Sequence, residues 1–143
     1  MLRRIITEEI AGFMVRIIEI AAAEFYDGDR HAAFIELNEH KVWHHFAEKY
    51  EAKCGSGDES LAEEIREMLG KKKPHVSQLK HLEEGDVAFM MAAVKAIAGS
   101  HDWNYSVTLE KFYSSGVCRA LSGAHIGLSA FTLDEVLEIF DKS

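Results

Sequence analysis

Proline and cysteine are scarce in this sequence, which has one proline and two cysteines in 143 residues. With a single proline, few positions interrupt helical hydrogen bonding. Two cysteines, Cys54 and Cys118, do not make the disulfide framework of a small secreted domain. The most apolar stretch, residues 10–25, contains charged side chains and is too short to cross a bilayer. We therefore expect a cytoplasmic protein with no membrane partner.

Positive charge is also in short supply, because 16 Lys and Arg residues face 24 Asp and Glu residues. The formal net charge is −8 at pH 7 with histidine counted as neutral. A general nucleic-acid-binding protein needs a basic face that releases counterions from the phosphates, so nucleic acid is not an expected partner.

Recognisable catalytic patterns are missing as well. The sequence has no glycine-rich phosphate loop after a strand, and no metalloprotease spacing of histidines. Nucleophilic catalysis needs Cys or Ser beside a positioned base, and neither Cys54 nor Cys118 has a sequence context that indicates a reactive thiol. We therefore expect a protein that is not an enzyme and that has no catalytic residues and no cofactor.

What the sequence does contain is apolar residues at helical spacing, separated by capping and turn residues. The pattern predicts an all-α bundle of eight or nine helices. The predicted long helices cover about 7–25 and 85–98, a short helix covers about 77–82, and segment 117–128 is a weaker helix prediction. Segment 54–58, rich in Gly and Ser, predicts an exposed and mobile loop. The predicted helix starts are Thr7, Asp29, Asn38, Ser60, Asn104 or Ser106, and Thr132.

The order of caps and apolar residues occurs twice along the chain. Segments 29–37 and 104–112 match at an offset of 75 residues, and the capping boxes 60–63 and 132–135 match at an offset of 72. Such self-similarity is typical of repeated structural units. The sequence therefore predicts two similar tandem units, 1–74 and 75–143, and leaves open whether they share one core. The alternative is an unduplicated helical bundle.

The second unit carries KFYSSGV at 111–117 and FTLDEVLEIF at 131–140. In this order, the segments resemble the bacterial family called domain of unknown function 3791, which consists of short helical proteins without an established activity. The first unit matches mainly through Tyr50 and its final helix, so the resemblance suggests two tandem copies. A histidine that often follows in the family is kept in neither unit. The resemblance implies an all-helical fold and a bacterial origin, and it implies no reaction.

The sharpest candidate for chemistry is a histidine pair, His40 and His44, four residues apart on a predicted helix. Glu36 precedes the pair by four residues and Glu48 follows it by four. Imidazole and carboxylate groups suit zinc, iron or manganese. A predicted helix break near Asn38 would remove Glu36 from this face, which leaves His40, His44 and Glu48 as candidate metal ligands. The alternative is a solvated helix face that holds no metal.

The favoured function is a non-enzymatic bacterial module for protein binding or regulation, whose partner is another protein or a second copy of the chain. The first alternative is a metal-binding helical protein that uses His40 and His44. The second is an acidic DNA mimic that blocks a nucleic-acid-binding protein. A mimic would need its acids on one face, and the sequence spreads them along the chain.

Overall fold

The computed structural model describes residues 7–73, 84–115 and 132–142, and in these ranges it contains eight helices and no strands. The prediction of an all-α bundle is therefore confirmed. None of the helices described is long and apolar enough to cross a membrane. The predicted helices at 77–82 and 117–128 lie outside the described residues. The helices are α1 (Glu8–Phe25), α2 (Arg30–Glu39), α3 (Val42–Glu48), α4 (Tyr50–Lys53), α5 (Asp58–Leu69), α6 (Glu84–His101), α7 (Tyr105–Tyr113) and α8 (Leu133–Lys142).

Four of the predicted helix starts are confirmed, because the side chains of Thr7, Asp29, Asn104 and Thr132 cap α1, α2, α7 and α8. Each side-chain oxygen accepts a hydrogen bond from the backbone N–H three residues later, over 2.9 to 3.3 Å. At α8 the capping box is complete, since the Glu135 carboxylate accepts the backbone N–H of Thr132 at 3.2 Å. These bonds satisfy amides that have no partner inside a helix.

Two predicted helix starts are wrong. Helix α2 continues through Asn38, and α3 begins only after Lys41, whose left-handed backbone (φ 56°) makes the break. The Asn38 side chain instead accepts a hydrogen bond from the indole N–H of Trp43 at 3.0 Å. Helix α5 starts after Gly57, so Ser60 lies exposed in its first turn rather than at its cap. Short polar side chains bond to nearby groups in several local conformations, so their presence alone does not locate a helix start.

Arg16 of α1 holds the predicted loop at residues 54–58. Its guanidinium donates to the Asp58 carboxylate at 2.5 and 2.8 Å, and to the backbone carbonyl of Ser56 at 2.8 Å. Asp58 itself belongs to α5, so the loop is one residue shorter than predicted. The segment is exposed at Cys54 but is tied to the central helix by charge-assisted hydrogen bonds.

Helix α1 lies at the centre of the bundle and contacts α2, α3, α5, α6 and α7. One hydrophobic cluster joins the described helices of segments 1–74 and 75–143. Several apolar residues at helical spacing are not fully buried, since Tyr50, Met68 and Leu137 are half-buried and Leu133 is exposed. The largest fully buried side chains of the cluster are Trp43, Tyr113, Phe46, Phe112, Met14, Ile17, Ile18, Ile20, Leu37, Leu61, Ile65 and Met90.

The two halves also share local geometry at the predicted repeat positions. Helices α1 and α6 have 18 residues each. Each is followed by a linker in which an aspartate adopts a left-handed backbone, with φ 53° at Asp27 and φ 54° at Asp102. In each linker the next helix is capped two residues later, by Asp29 and Asn104. The superposition of two complete units remains a prediction.

Candidate functional site

A cleft of about 770 Å³ opens on one side of the bundle. It is bordered by α2, α7 and α8, and by the end of α6 with the linker that follows it. Its lining combines aromatic, aliphatic, hydroxyl and charged side chains. The described lining residues are Phe34, Ile35, Asn38, His101, Trp103, Glu110, Lys111, Ser114, Ser115, Phe140 and Asp141.

The cleft lies where the C-terminal ends of four helices meet. Asn38 belongs to the last turn of α2, and His101 is the last residue of α6. Lys111 lies in the last turn of α7, and Phe140 in the last turn of α8. Each helix was predicted from local signals, but their meeting at one point depends on packing between distant segments.

Aromatic rings form one wall of the cleft. The ring of His101 stacks on Trp103 with centroids 4.3 Å apart and an interplanar angle of 15°. Phe140 meets both rings edge-on, at 5.6 Å from His101 and 6.0 Å from Trp103. Edge-to-face and offset-stacked rings attract one another beyond the burial of their area, so the wall is well defined. Trp103 remains partly exposed.

The cleft lining also includes an exposed aliphatic side chain. Ile35 of α2 keeps 40% of its surface accessible, although it is a large apolar side chain. Behind it, Phe34 is buried and stacks on Tyr113 of α7, with ring centroids 5.6 Å apart. An exposed apolar side chain beside a concave surface is a common feature of a binding site.

Charged groups border the cleft. The Nε2 atom of His101 lies 3.0 Å from the Asp141 carboxylate, which accepts the imidazole N–H. Glu110 and Lys111 are exposed on α7. The cleft therefore offers apolar surface together with groups that bind charged or polar partners.

A buried polar group fixes the walls of the cleft on the central helix. Glu19 of α1 is almost completely buried, and its carboxylate accepts a hydrogen bond from Arg30 of α2 at 2.7 Å. The hydroxyl of Tyr113 on α7 donates to the other oxygen of Glu19 at 3.5 Å. His31 of α2 contacts the backbone carbonyl of Tyr113 at 2.9 Å. Helices α2 and α7, which both border the cleft, are thus held to α1 and to each other.

The predicted metal ligands do not share a helix. His40 caps the end of α2, and His44 lies on α3 beyond the left-handed residue Lys41. Glu48 is exposed at the end of α3. His40 instead lies near Glu36, with Nε2 and Oε2 3.5 Å apart, because α2 is longer than predicted.

A different group of possible ligands forms at the end of α2. One ligand atom each from Glu36, Glu39 and His40 lies within 4.8 Å of the others. Glu39 and His40 are exposed, and Glu36 is half-buried. The predicted break at Asn38 concealed this group, because it placed Glu36 and His40 on different helices.

His44 is placed against the core rather than beside His40. Its ring stacks on the neighbouring Trp43 with centroids 3.7 Å apart. Its Nδ1 atom is buried and has no hydrogen-bond partner in the described part of the chain. Burial is the main cause that lowers the pKa of His44 below that of an ordinary histidine. The His44 imidazole thus packs as part of an aromatic pair with Trp43.

Comparison of the chain with family models, with curated proteins and with solved structures gave no match. The resemblance of segments 111–117 and 131–140 to domain of unknown function 3791 therefore stays a prediction. Any functional assignment has to come from the residues of this chain.

The cleft residues were missed by sequence reasoning. They come from positions between 34 and 141, and no spacing rule joins them. Trp103 was the one available signal, because a tryptophan in a short polar linker is not needed to fill a helix face. Ile35 gave no signal, since isolated apolar residues are common on protein surfaces.

Proposed function

We propose that this protein is a non-enzymatic cytoplasmic module of bacterial origin for protein binding or regulation, and that the cleft is its binding surface. The observation that carries the proposal is that exposed Ile35 and partly exposed Trp103 line the same concave, charge-bordered surface. Aromatic anchors in a pocket with a polar rim are the usual centre of protein interfaces.

The size and form of the cleft support a protein segment as the ligand. A volume of about 770 Å³ lies within the usual range of roughly 300–1,000 Å³ for ligand sites. Four helices border it, and a groove between helices accepts an amphipathic helix or an extended segment through a few apolar anchors. The buried bonds of Glu19 to Arg30 and Tyr113 keep the groove preformed, which lowers the entropy cost of binding.

The polar contacts around the cleft connect the helix ends that border it. His101 of α6 bonds to Asp141 of α8, and the Ser115 hydroxyl donates to the backbone carbonyl of Phe112 at 2.6 Å. These bonds help to hold the surface in a preformed shape, which lowers the entropy cost of binding a partner.

Selection of peptides from a random display library against the full-length protein tests the proposal. Calorimetry then measures the affinity of the selected peptides for the wild type and for two matched variants. Ile35→Glu places a charge in the cleft, whereas Leu133→Glu places the same charge at a similarly exposed apolar residue at the start of α8. We expect Ile35→Glu to weaken binding about tenfold or more and Leu133→Glu to leave it nearly unchanged.

The opposite result would contradict the proposal. Peptides that bind both variants as tightly as the wild type would place the binding surface outside the cleft, and selection that enriches no peptide would remove its main support. Analytical ultracentrifugation of the same proteins identifies self-association. A dimer that Ile35→Glu dissociates and Leu133→Glu does not would make a second copy of the chain the occupant.

A second candidate is metal binding at the end of α2, by His40 with Glu36 and Glu39 rather than with His44. The observation that favours it is the approach of one atom from each side chain to within 4.8 Å of the others. Imidazole and carboxylate oxygens are suitable zinc ligands. Zinc titration of the wild type, His40→Gln and His44→Gln separates the outcomes. Binding that only His40→Gln removes would support the candidate, and no binding by the wild type would eliminate it.

A further inference from the structure

The meeting of four helix ends gives the cleft an electrostatic character. The C-terminal end of a helix carries roughly half a negative charge, because its last carbonyl groups have no helical partner. Helices α2, α6, α7 and α8 all end at the cleft. Their partial negative charges therefore accumulate at one place on the surface.

The basic residues at these helix ends offset the negative charge only in part. Helix α2 has no basic residue in its last turn. Lys142 of α8 pairs with Glu138 at 3.0 Å, and His101 of α6 pairs with Asp141 at 3.0 Å. Each of these basic side chains therefore already has a carboxylate beside it. Of the described lining residues, only Lys111 carries a lysine or arginine charge.

Acidic side chains add to the partial charges of the helix ends. Glu110 lies in the last turn of α7 and Asp141 in the last turn of α8, and both line the cleft. A carboxylate in the last turn is unfavourable for the helix dipole. These two residues therefore increase the negative potential of the cleft at a cost to helix stability, in a chain whose net charge is −8.

The aromatic wall adds a further attraction for cations. The face of a tryptophan ring attracts ammonium and guanidinium groups within about 6 Å of its centroid, more strongly than other rings do. Trp103 is partly exposed in the cleft and lines it together with the carboxylate of Asp141. Exposed Ile35 in the same cleft offers apolar contact as well.

We infer that the occupant of the cleft is a basic peptide segment of a partner protein, with lysine or arginine at Glu110 and Asp141 and an apolar side chain between Ile35 and Trp103. This inference rests on the proposed binding function and names the chemistry of the partner. Charge complementarity distinguishes it from a neutral or acidic segment.

Three synthetic amphipathic peptides test the inference with the full-length protein. They share the same leucine positions and carry Lys, Gln or Glu at every polar position. Calorimetry at low and at physiological ionic strength measures each affinity. We expect the Lys peptide to bind most tightly, and its affinity to fall with added salt because exposed charges are screened.

Two matched double variants show whether the cleft supplies the attraction. Glu110→Gln with Asp141→Asn removes two negative charges from the cleft, and Glu59→Gln with Glu67→Gln removes two from the exposed face of α5. We expect the first pair to weaken the Lys peptide by about threefold or more. The second pair should change its affinity much less, although the net charge of the protein changes equally.

Several results would overturn the inference. Equal affinity for the Lys and Glu peptides, with both lost in Ile35→Glu, would refute a cationic ligand and leave the proposed binding function standing. If both double variants weakened binding of the Lys peptide equally, the attraction would come from the overall charge of the protein and not from the cleft. Binding of none of the three peptides would also refute it, and the library selection would then decide the proposed function separately.

Discussion

At the scale of single residues, the most consequential side chain is Glu19. It is a carboxylate inside an otherwise apolar helix face, with 1% of its side chain exposed. Removing a charge from water costs several kcal/mol, so it requires good partners. Arg30 and Tyr113 provide them. From the sequence, Glu19 was visible only as an interruption of an apolar stretch, because its partners lie 11 and 94 residues away.

Breaking this pair should destabilise the protein strongly. Glu19→Leu removes the carboxylate that Arg30 contacts, and the Arg30 side chain is only 14% exposed. We expect the free energy of unfolding in urea to fall by about 3 kcal/mol or more. Adding Arg30→Leu should recover a large part of the loss, because two apolar side chains replace two charges.

The exposed ion pair of Lys95 and Glu8 provides the control for the Glu19 and Arg30 variants. Lys95→Ala should change stability little, since salt bridges in water contribute little. A Glu19→Leu variant as stable as Lys95→Ala would contradict the importance of the buried pair.

Helix caps were the most predictable feature among single residues, but a residue type that favours capping does not always cap a helix. Thr132→Ala removes a confirmed side-chain cap and should lower the free energy of unfolding by about 1 kcal/mol. Ser60→Ala should change it by less than about 0.5 kcal/mol, because Ser60 is an exposed residue in the first turn of α5. Urea unfolding of both variants measures the difference. Equal costs would mean that Ser60 has a capping role.

At the scale of helices, the periodic apolar pattern was sufficient to predict type and approximate extent. Helix α1 begins and ends at the predicted residues, whereas α6 continues past the expected stop at Gly99 to His101. The predicted helix starts were wrong where no side chain caps the helix, as after Lys41 and Gly57. A left-handed lysine has no sequence signature, since a residue with a β-carbon rarely adopts a positive φ and lysine is not among the types enriched there.

The Arg16 contacts should restrain the linker between α4 and α5. In the wild type the amide of Ser56 bonds to the Lys53 carbonyl at 3.0 Å, and Arg16 holds the Ser56 carbonyl. Arg16→Ala should therefore speed hydrogen exchange at the amides of residues 54–57. Arg66→Ala is the control, because its contact with Glu63 lies on the surface of a single helix at 3.5 Å. Equal exchange of this linker in wild type and Arg16→Ala would show that the loop is mobile, as the sequence predicted.

At the scale of the whole molecule, α1 brings both halves of the chain into one described hydrophobic cluster. The sequence could not decide between separate and shared cores, because contacts between α1 and α6 or α7 have no local signal. For the same reason it could not predict the cleft, which depends on where four helices end. The first half contributes α2 to the cleft, and the second half contributes α6, α7 and α8. The matched linkers at Asp27 and Asp102 support the prediction of a duplicated unit.

Binding of a basic segment in the cleft is tested most directly by NMR, by following the backbone amide signals while the Lys peptide is titrated into the isotope-labelled protein. We expect shifts concentrated at Ile35, at Trp103 and at residues 110–115, with little change along the exposed face of α5. The Glu peptide should leave the same signals nearly unmoved. Shifts spread along α5, or a cleft whose signals do not respond to the Lys peptide, would contradict the claim that these helix ends form a binding site for a basic protein segment.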